Sequence, residues 1–92
     1  MENELKNEES AVVAVKDELT GAFMTPIFLK GKTWKEQALR IFKHQINEIP
    51  IWRSNSSDYS LFLLGIFNEE TGIIYNYNEI EKIANGRSVL KE

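Results

Sequence analysis

The fold is decided by the stretch 59–77, which reads YSLFLLGIFNEETGIIYNY. Two apolar runs rich in β-prone residues, 59–67 and 73–77, flank the polar segment 68–72. This is the pattern of a β-hairpin, in which a short polar turn joins two antiparallel strands. The turn ends at Gly72, where the backbone needs a positive φ that glycine adopts without steric strain. We therefore predict an antiparallel hairpin at the centre of the fold.

The first strand of this hairpin is apolar on both of its alternating faces. Strict alternation divides its residues into two sets, Leu61, Leu63 and Phe67 on one face and Phe62, Leu64 and Ile66 on the other. Such a strand lies inside a sheet, and its second face is covered by the chain itself or by a partner. In the second run, 73–77, the two faces differ more clearly in polarity, so this strand is predicted to lie nearer an edge of the sheet. A homodimer or another protein is expected to cover the free face, through a candidate interface of Phe62, Leu64, Ile66 and Ile74.

Upstream of the hairpin, the sequence predicts two strands and one long helix. The β-branched run 11–15 is the first strand, and 23–29 is an edge strand or an extended segment because Pro26 interrupts it. The helix begins after Thr33 and ends before Pro50. Thr33 with glutamate three residues later is the capping-box pattern. Apolar residues then recur at helical spacing on one broad face, at positions Trp34, Ala38, Leu39, Ile41, Phe42, Ile46 and Ile49.

Downstream of the long helix, the polar segment 54–58 is predicted to be a loop leading into the hairpin. A second, short helix is predicted from a cap at Asn78 to a stop at Gly86, with Glu81 at the capping-box position. The fold class is therefore α+β. We predict an antiparallel β-sheet of about 3–4 strands in the order β-β-α-β-β-α, with the long helix packed on one face and a short C-terminal helix.

Length and composition indicate one globular domain. The chain has 92 residues, of which 42% are hydrophobic and 27% charged. We predict a disordered acidic tail over 1–10, a single α+β domain over 11–87 and a C-terminal tail over 88–92. No apolar run approaches the roughly 20 residues that span a bilayer, and the acidic start does not resemble a signal peptide, so no membrane contact is expected. The absence of cysteine excludes disulfides and thiolate metal sites.

No catalytic or metal site is expected from the sequence. His44 is the only histidine and falls on the polar face of the predicted helix, while Glu69 and Glu70 lie in the hairpin turn, where solvated acids are ordinary. No basic partner makes a nucleophile of the serines in 54–58. The glycines match neither the phosphate-binding nor the dinucleotide-binding spacing. We therefore expect a protein that is not an enzyme and has no cofactor.

The charges are unevenly distributed along the chain, although the formal net charge is only −3. Residues 1–20 hold six acids and two bases, 21–53 hold six bases and two acids, and 54–92 hold three bases and six acids. Cations beside aromatic rings suit single-stranded nucleic acid, because bases stack on the rings while phosphates meet the cations. The alternative is that both tryptophans are core or rim aromatics and that the lysines form a solvated face. The candidate nucleic-acid-binding residues are Lys30, Lys32, Trp34, Lys35, Arg40, Lys43, Trp52 and Arg53.

Segment 58–72, DYSLFLLGIFNEETG, resembles a signature of the small nonstructural protein of gokushovirus-like Microviridae, which are single-stranded DNA phages. That signature is aspartate-aromatic-x-Leu…Gly-x-Phe-(Asp/Asn)-Glu-Glu-Thr-Gly. Three shorter segments also fit the family, PIFL at 26–29, ALRIF at 38–42 and IANG at 83–86. The chain departs from the family in its acidic N-terminal extension and in segment 53–57, which replaces a Pro-Glu-rich approach to the aspartate.

The resemblance implies a nonstructural phage protein that acts in the cytoplasm of the bacterial host. It further implies a role in viral single-stranded DNA synthesis, with no catalytic residues to transfer. Our first hypothesis is a non-enzymatic accessory protein that contacts single-stranded DNA, or a phage or host replication protein, through the basic segment 30–53. The alternative is a protein-interaction module that modulates a host factor through the apolar face of the sheet.

Overall fold

The protein is a helix-covered antiparallel sheet, seen in a computed structural model that describes residues 5–76 and 79–91. The α+β class predicted from the sequence is confirmed. The strands are β1 (Glu9–Asp17), β2 (Ala22–Phe23), β3 (Ile27–Leu29), β4 (Tyr59–Asn68), β5 (Ile73–Tyr75) and β6 (Glu81–Asn85). The helices are α1 (Trp34–Glu48), α2 (Pro50–Ser54) and α3 (Gly86–Val89), and a 3₁₀ turn covers Ser56–Asp58.

The two long strands, β1 and β4, form the centre of the sheet and pair antiparallel from Glu9 opposite Asn68 to Asp17 opposite Tyr59. Each outer position is occupied by two short strands. Strands β2 and β3 both pair with β1, and β5 and β6 both pair with β4. Because Pro26 lacks a backbone N–H, it falls in the gap between β2 and β3, as predicted for an edge. The six strands therefore form a sheet that is four strands wide.

A β-bulge in the central ladder decides which side chains share a face. Val12 lies opposite Gly65 and Val13 opposite Leu63, so Leu64 has no partner on β1. One extra residue reverses the alternation beyond it. Ile66, opposite Ala11, is consequently on the same side as Leu63 and is 1% exposed. The predicted grouping of Ile66 with Phe62, and of Phe67 with Leu63, is therefore wrong.

Helix α1 covers one face of the sheet through a narrow apolar stripe. Ala38, Phe42 and Ile46 are at most 1% exposed and pack against the central strands. The receiving side chains are Val13, Val15, Leu61 and Leu63. Since burying a large apolar side chain contributes about 1.5–3 kcal/mol, this stripe stabilises the helix more than its intrinsic propensity does.

The ends of α1 follow the sequence in outline but not in detail. Thr33 is the N-cap residue as predicted, yet it makes no side-chain cap bond. Its Oγ1 instead accepts a hydrogen bond from Gln37 Nε2 at 3.1 Å, so the predicted capping box is wrong. Pro50 ends α1 and is the first residue of α2. N–H groups in the first turn of a helix have no intrahelical acceptor, so the absence of an N–H on proline removes no hydrogen bond there. Residues 50–54 are thus helical, rather than a lead into a loop.

The C-terminal helix lies later in the chain than predicted. Asn78, its predicted cap, is outside the described residues, and 81–85 form strand β6 because the half of β4 around Ser60 needs a ladder partner on that side. Helix α3 begins at Gly86 instead of ending there. Its cap is Asn85, whose Oδ1 accepts a hydrogen bond from the Arg87 N–H at 3.0 Å.

Both predicted tails contribute to the fold at their inner ends. Glu9 and Ser10 are buried residues of β1, not part of a disordered tail. At the other end, Val89 and Leu90 pack against the main core. The ordered domain therefore extends beyond 11–87 in both directions.

Glu9 ties the N-terminal segment to the outer strand β5. Its Oε1 accepts a hydrogen bond from the Lys6 N–H at 2.9 Å, and its Oε2 accepts one from the Tyr75 hydroxyl at 2.6 Å. These bonds, the Lys6 backbone bond first, lower the pKa of Glu9 below its usual 4.5.

We predict that the Glu9 carboxylate makes the protein more stable at neutral than at acidic pH. A pKa lowered in the folded state means that this stabilisation is complete above about pH 4.5 and is lost as the pH falls through the lowered value. Urea unfolding at pH 7 and pH 3 measures the loss. Glu9→Gln should show a smaller loss than the wild type, whereas Glu36→Gln, at an exposed position on α1, should match the wild type. Equal losses in all three proteins would contradict the prediction.

We predict that Gly86→Ala destabilises the protein by about 1–3 kcal/mol, because a Cβ at this position has no room. It would collide with the backbone oxygen of Ser56 and lie 2.6 Å from Ile46 Cδ1. Urea denaturation measures the change in the free energy of unfolding. Arg87→Ala, at the exposed next position, is the control and should change it by less than about 0.5 kcal/mol. Gly86→Ala with unaltered stability would show that α3 is not docked as described.

Candidate nucleic-acid interface

Basic side chains line the outer surface of α1, away from the sheet. Arg40, Lys43 and His44 are three and four residues apart, which places them on neighbouring positions of one helical face. All three are exposed. The apolar stripe on the opposite side of α1 fixes this orientation, because turning the helix would expose Phe42 and Ile46.

The C-terminal segment is attached to this helix by the side chain of Asn47. Its Nδ2 donates to the Lys43 carbonyl oxygen at 2.7 Å and to the Val89 carbonyl oxygen at 3.1 Å. Its Oδ1 accepts from Arg53 Nη1 at 3.0 Å and from the Lys91 N–H at 2.7 Å. Both donor hydrogens and both acceptor sites of the amide are thereby used. Asn47 is therefore the residue that joins α1, α2 and the C-terminal segment.

These contacts create an open groove of about 200 Å³, which we call the basic groove. Arg53 adjoins it, since Arg53 Nη2 also donates to the Lys91 carbonyl oxygen at 3.2 Å. Three side chains with permanent positive charge and one carboxylate line the groove, so its local charge is opposite in sign to that of the whole chain. Its lining residues are Arg40, Lys43, His44, Asn47, Glu48 and Lys91.

No ion pair between described residues includes a cation of the basic groove. Between described residues, ion pairs join Lys30 to Glu69 at 2.7 Å and Lys82 to Glu18 at 2.9 Å. Neither pair includes a lining residue of the groove. A concave surface with an excess of one sign of charge attracts ligands of the opposite sign. With three cations and the Glu48 carboxylate in its lining, the groove suits a phosphate group or a polyanion.

The structure divides the eight predicted nucleic-acid-binding residues. Arg40, Lys43 and Arg53 meet at the basic groove. Lys30, held by Glu69, and the exposed Lys32 precede α1, and the half-buried Lys35 lies in its first turn; these three lysines do not line the groove.

The two tryptophans do not offer the open stacking platform that the sequence suggested. Trp34 is 2% exposed and belongs to the main core. Trp52 is half-buried and stacks on Tyr59, with ring centroids 4.8 Å apart and an angle of 14° between the rings. Trp34 is therefore left out of the candidate interface, and Trp52 has one ring face already covered.

Four lining residues of the groove were not among the predicted binding residues, namely His44, Asn47, Glu48 and Lys91. Lys91 was assigned to a tail because its contact, Asn47, is 44 residues away and gives no local signal. Asn47 could have been found, since it lies four residues after Lys43 on the same helical face. His44 was interpreted as a solvated helix residue; it is exposed on α1 and also lines the open groove.

The four residues predicted as a partner interface do not form one exposed surface. Phe62 and Ile66 are 8% and 1% exposed, Leu64 is half-buried at the bulge, and Ile74 is 58% exposed. Of the four, Ile74 is therefore the residue most accessible to a partner.

The described part of the chain contains neither a metal-holding cluster nor a membrane-spanning helix. Over residues 5–76 and 79–91, no cluster of three or more acidic or histidine side chains is arranged to hold a metal ion. No helix in the same residues has the length and apolar character to cross a membrane.

The fold and the groove define a small α+β domain with a cationic surface on its long helix. A family model described as Phage ORF5 protein matches residues 10–89, which include nearly all of β1 and extend to the end of α3. The chain therefore belongs to this family and is a phage protein. Neither a curated protein nor a solved structure matches it.

We predict that Asn47→Ala releases the C-terminal segment from α1. The variant loses four hydrogen bonds and leaves the Val89 carbonyl and the Lys91 N–H without their partner. We expect a loss of about 1–3 kcal/mol in stability and faster amide exchange at Lys91. Hydrogen exchange measured by NMR, together with urea unfolding, tests both effects.

Asn55→Ala is the matched control for this experiment, because the Asn55 side chain donates a single local hydrogen bond to the Ile51 carbonyl oxygen. It should leave exchange at Lys91 unchanged. Equal exchange at Lys91 in the wild type and in Asn47→Ala would show that Asn47 does not hold the segment.

Proposed function

We propose that this phage protein is a non-enzymatic accessory protein that binds single-stranded DNA through the basic groove. We further propose that it acts in viral single-stranded DNA synthesis in the cytoplasm of the bacterial host. The observation that carries the proposal is the convergence of Arg40, Lys43 and Lys91 around one groove, with Arg53 beside it. The likeness of segment 58–72 to gokushovirus-like Microviridae supports the assignment to single-stranded DNA phages.

The groove suits a phosphodiester backbone better than a particular base sequence. Arginine and lysine side chains neutralise phosphates, and the release of counterions from DNA supplies sequence-independent affinity. Arg53 has a fixed orientation, because both of its terminal nitrogens hydrogen-bond to neighbouring oxygens. Arg40 and Lys43 make no ion pair with another described residue, so binding a phosphate breaks no existing pair.

The formal net charge of −3 does not argue against this function. Attraction over short distances depends on the nearest charges, because salt screens charges beyond about 8–10 Å. Two bases outside the groove, Lys30 and Lys82, are paired with acids. Of the three bases on α1, Arg40 and Lys43 line the groove, and neither makes an ion pair with another described residue.

We predict that single-stranded DNA binding weakens with salt, with a log–log slope of about −0.7 for each phosphate contact. Fluorescence anisotropy of a labelled oligothymidylate, measured between low and physiological salt, gives the slope. Arg40→Gln and Lys43→Gln should each reduce affinity and make the slope shallower by about 0.7, because each removes one cation whose side chain makes no hydrogen bond to another described residue.

Lys32→Gln is the control, because it removes an exposed cation from the same basic segment but outside the groove. It should leave the slope unchanged. If Lys32→Gln has the same effect as Lys43→Gln, the whole segment rather than the groove attracts DNA. If the wild type does not bind at low salt, direct DNA binding is ruled out.

The second candidate function is docking of a protein, either a second copy of the chain or a replication protein or host factor. The observation that favours it is the exposure of β5, where Ile73 and Ile74 are each 58% exposed and Tyr75 is 41% exposed. A short apolar outer strand can pair with a strand of a partner. Failure of the DNA titration, together with a wild-type dimer that Ile74→Asp converts to a monomer in sedimentation, would favour this candidate.

A further inference from the structure

A cluster of phenylalanine rings lies on the face of the sheet opposite α1. We call it the aromatic face, and it consists of Phe23, Phe28, Phe62 and Phe67. The register places these side chains together, because Phe28 is opposite Val12 and Phe67 opposite Ser10, on the side away from Val13. The core contacts of α1, α2 and α3 are all with the other face. Within the described residues, therefore, no helix covers the aromatic face.

The four rings form two pairs, each with one ring on an outer strand. Phe23 meets Phe62 with centroids 5.6 Å apart at 73°, and Phe28 meets Phe67 at 5.3 Å and 83°. Phe62 is buried, whereas Phe23 and Phe28 are 40% and 47% exposed. Edge-to-face contact fixes the orientation of the outer rings. The outer rings are consequently both accessible and held in place.

Two lysines stand beside these rings. Lys16 Nζ is 5.4 Å from the centroid of Phe23 and 5.9 Å from that of Phe62. Lys82 Nζ is 5.7 Å from the Phe62 centroid and 2.9 Å from Glu18 Oε2. Lys82 is therefore already paired with an acid. Lys16 makes no ion pair with another described residue, although its charge also acts on the Glu18 carboxylate and helps to lower the pKa of Glu18.

We propose that the aromatic face binds bases of single-stranded nucleic acid, with Phe23 and Phe28 stacking on bases and Lys16 meeting a phosphate. Exposed rings beside an available cation are the combination that sequence-tolerant binding of single strands uses. The inference rests on the proposed function, from which it takes single-stranded nucleic acid as the class of ligand. It concerns a different surface, which shares no residue with the basic groove.

A protein partner or a second copy fits this face less well. An apolar surface that covered Phe23 would also cover the Lys16 ammonium, which lies over the same ring. Burying an unpaired charge is unfavourable unless a new partner meets it. A nucleic acid supplies that partner in its own backbone, because each stacked base is attached to a phosphate. The charge beside the rings therefore favours a nucleic acid over an apolar protein surface.

The two surfaces are expected to contribute differently to binding. Arg40 and Lys43 in the basic groove act on phosphates, so their contribution falls with salt. Stacking on Phe23 or Phe28 is an apolar and π contact, which salt affects little. Because α1 lies between the groove and the sheet, a variant on the aromatic face leaves the groove residues in place. The two contributions can thus be measured separately.

The test compares Phe23→Leu and Phe28→Leu with the ring-preserving Phe28→Tyr, using the same labelled oligothymidylate over the same salt range. Urea unfolding first checks that each variant is folded. We expect each leucine variant to bind at least about fivefold more weakly at every salt concentration, with an unchanged salt slope. Phe28→Tyr should keep wild-type affinity. NMR signals of the Phe23 and Phe28 rings should shift when the oligonucleotide is added.

Folded leucine variants with wild-type affinity would overturn the inference. If Lys43→Gln still lowered the slope in that case, the proposed function would stand without the aromatic face. No binding by the wild type at low salt would overturn both. A change from dimer to monomer in the leucine variants, with DNA affinity unaltered, would assign the aromatic face to self-association and so also overturn the inference.

Discussion

The structure depends on the antiparallel ladder between β1 and β4, which runs from Glu9 opposite Asn68 to Asp17 opposite Tyr59. Both strands are buried along most of their length, and every other strand pairs with one of them. Their pairing joins residues more than 40 positions apart, so closing the chain between them has a high entropic cost. The burial of apolar side chains has to offset this cost. Helix α1 supplies that burial on one face, where Phe42 and Ile46 are fully enclosed. On the other face, the rings of the outer strands provide a thinner cover.

The bulge at Leu64 has consequences on both faces. By adding one residue to β4, it turns Ile66 towards the core and Phe67 towards the opposite side. Phe67 can then meet Phe28 from β3, and two pairs of rings form instead of one. Gly65, next to the bulge, is also required, since a Cβ there would lie 2.6 Å from the Tyr75 carbonyl oxygen. A single irregularity in the ladder thus determines which apolar residues are core and which form the accessible aromatic face.

The sequence predicted what local pattern controls and missed what distant contacts control. The hairpin, the positive φ of Gly72 and the helix between Thr33 and Pro50 follow from spacing and turn chemistry, and all three are confirmed. The helix predicted over 78–86 was wrong for 81–85, because pairing with β4 outweighs helical spacing in so short a segment. The position of the bulge could not be predicted, because the sequence of β4 around Leu64 is an unbroken apolar run. Five of the six lining residues of the groove lie on α1 and were accessible through helical spacing. Lys91 was not, since Asn47 fixes its position across 44 residues.

The pairing of charges explains how an acidic chain can carry a basic surface. Of the six bases in 21–53, Lys30 is held by Glu69 of the hairpin turn. Directly after β1, Glu18 accepts a hydrogen bond from Ser60 and pairs with Lys82, and these two contacts, Ser60 first, lower the pKa of Glu18. Two acids of the turns, Glu69 and Glu18, are therefore paired with bases. The outer surface of α1 keeps Arg40 and Lys43 without such partners among the described residues. Total charge and sequence order do not reveal this arrangement, because it arises only when the ladder brings the turns beside the strands. A domain of this size can thus remain acidic overall and still present a localised cationic groove to a polyanion.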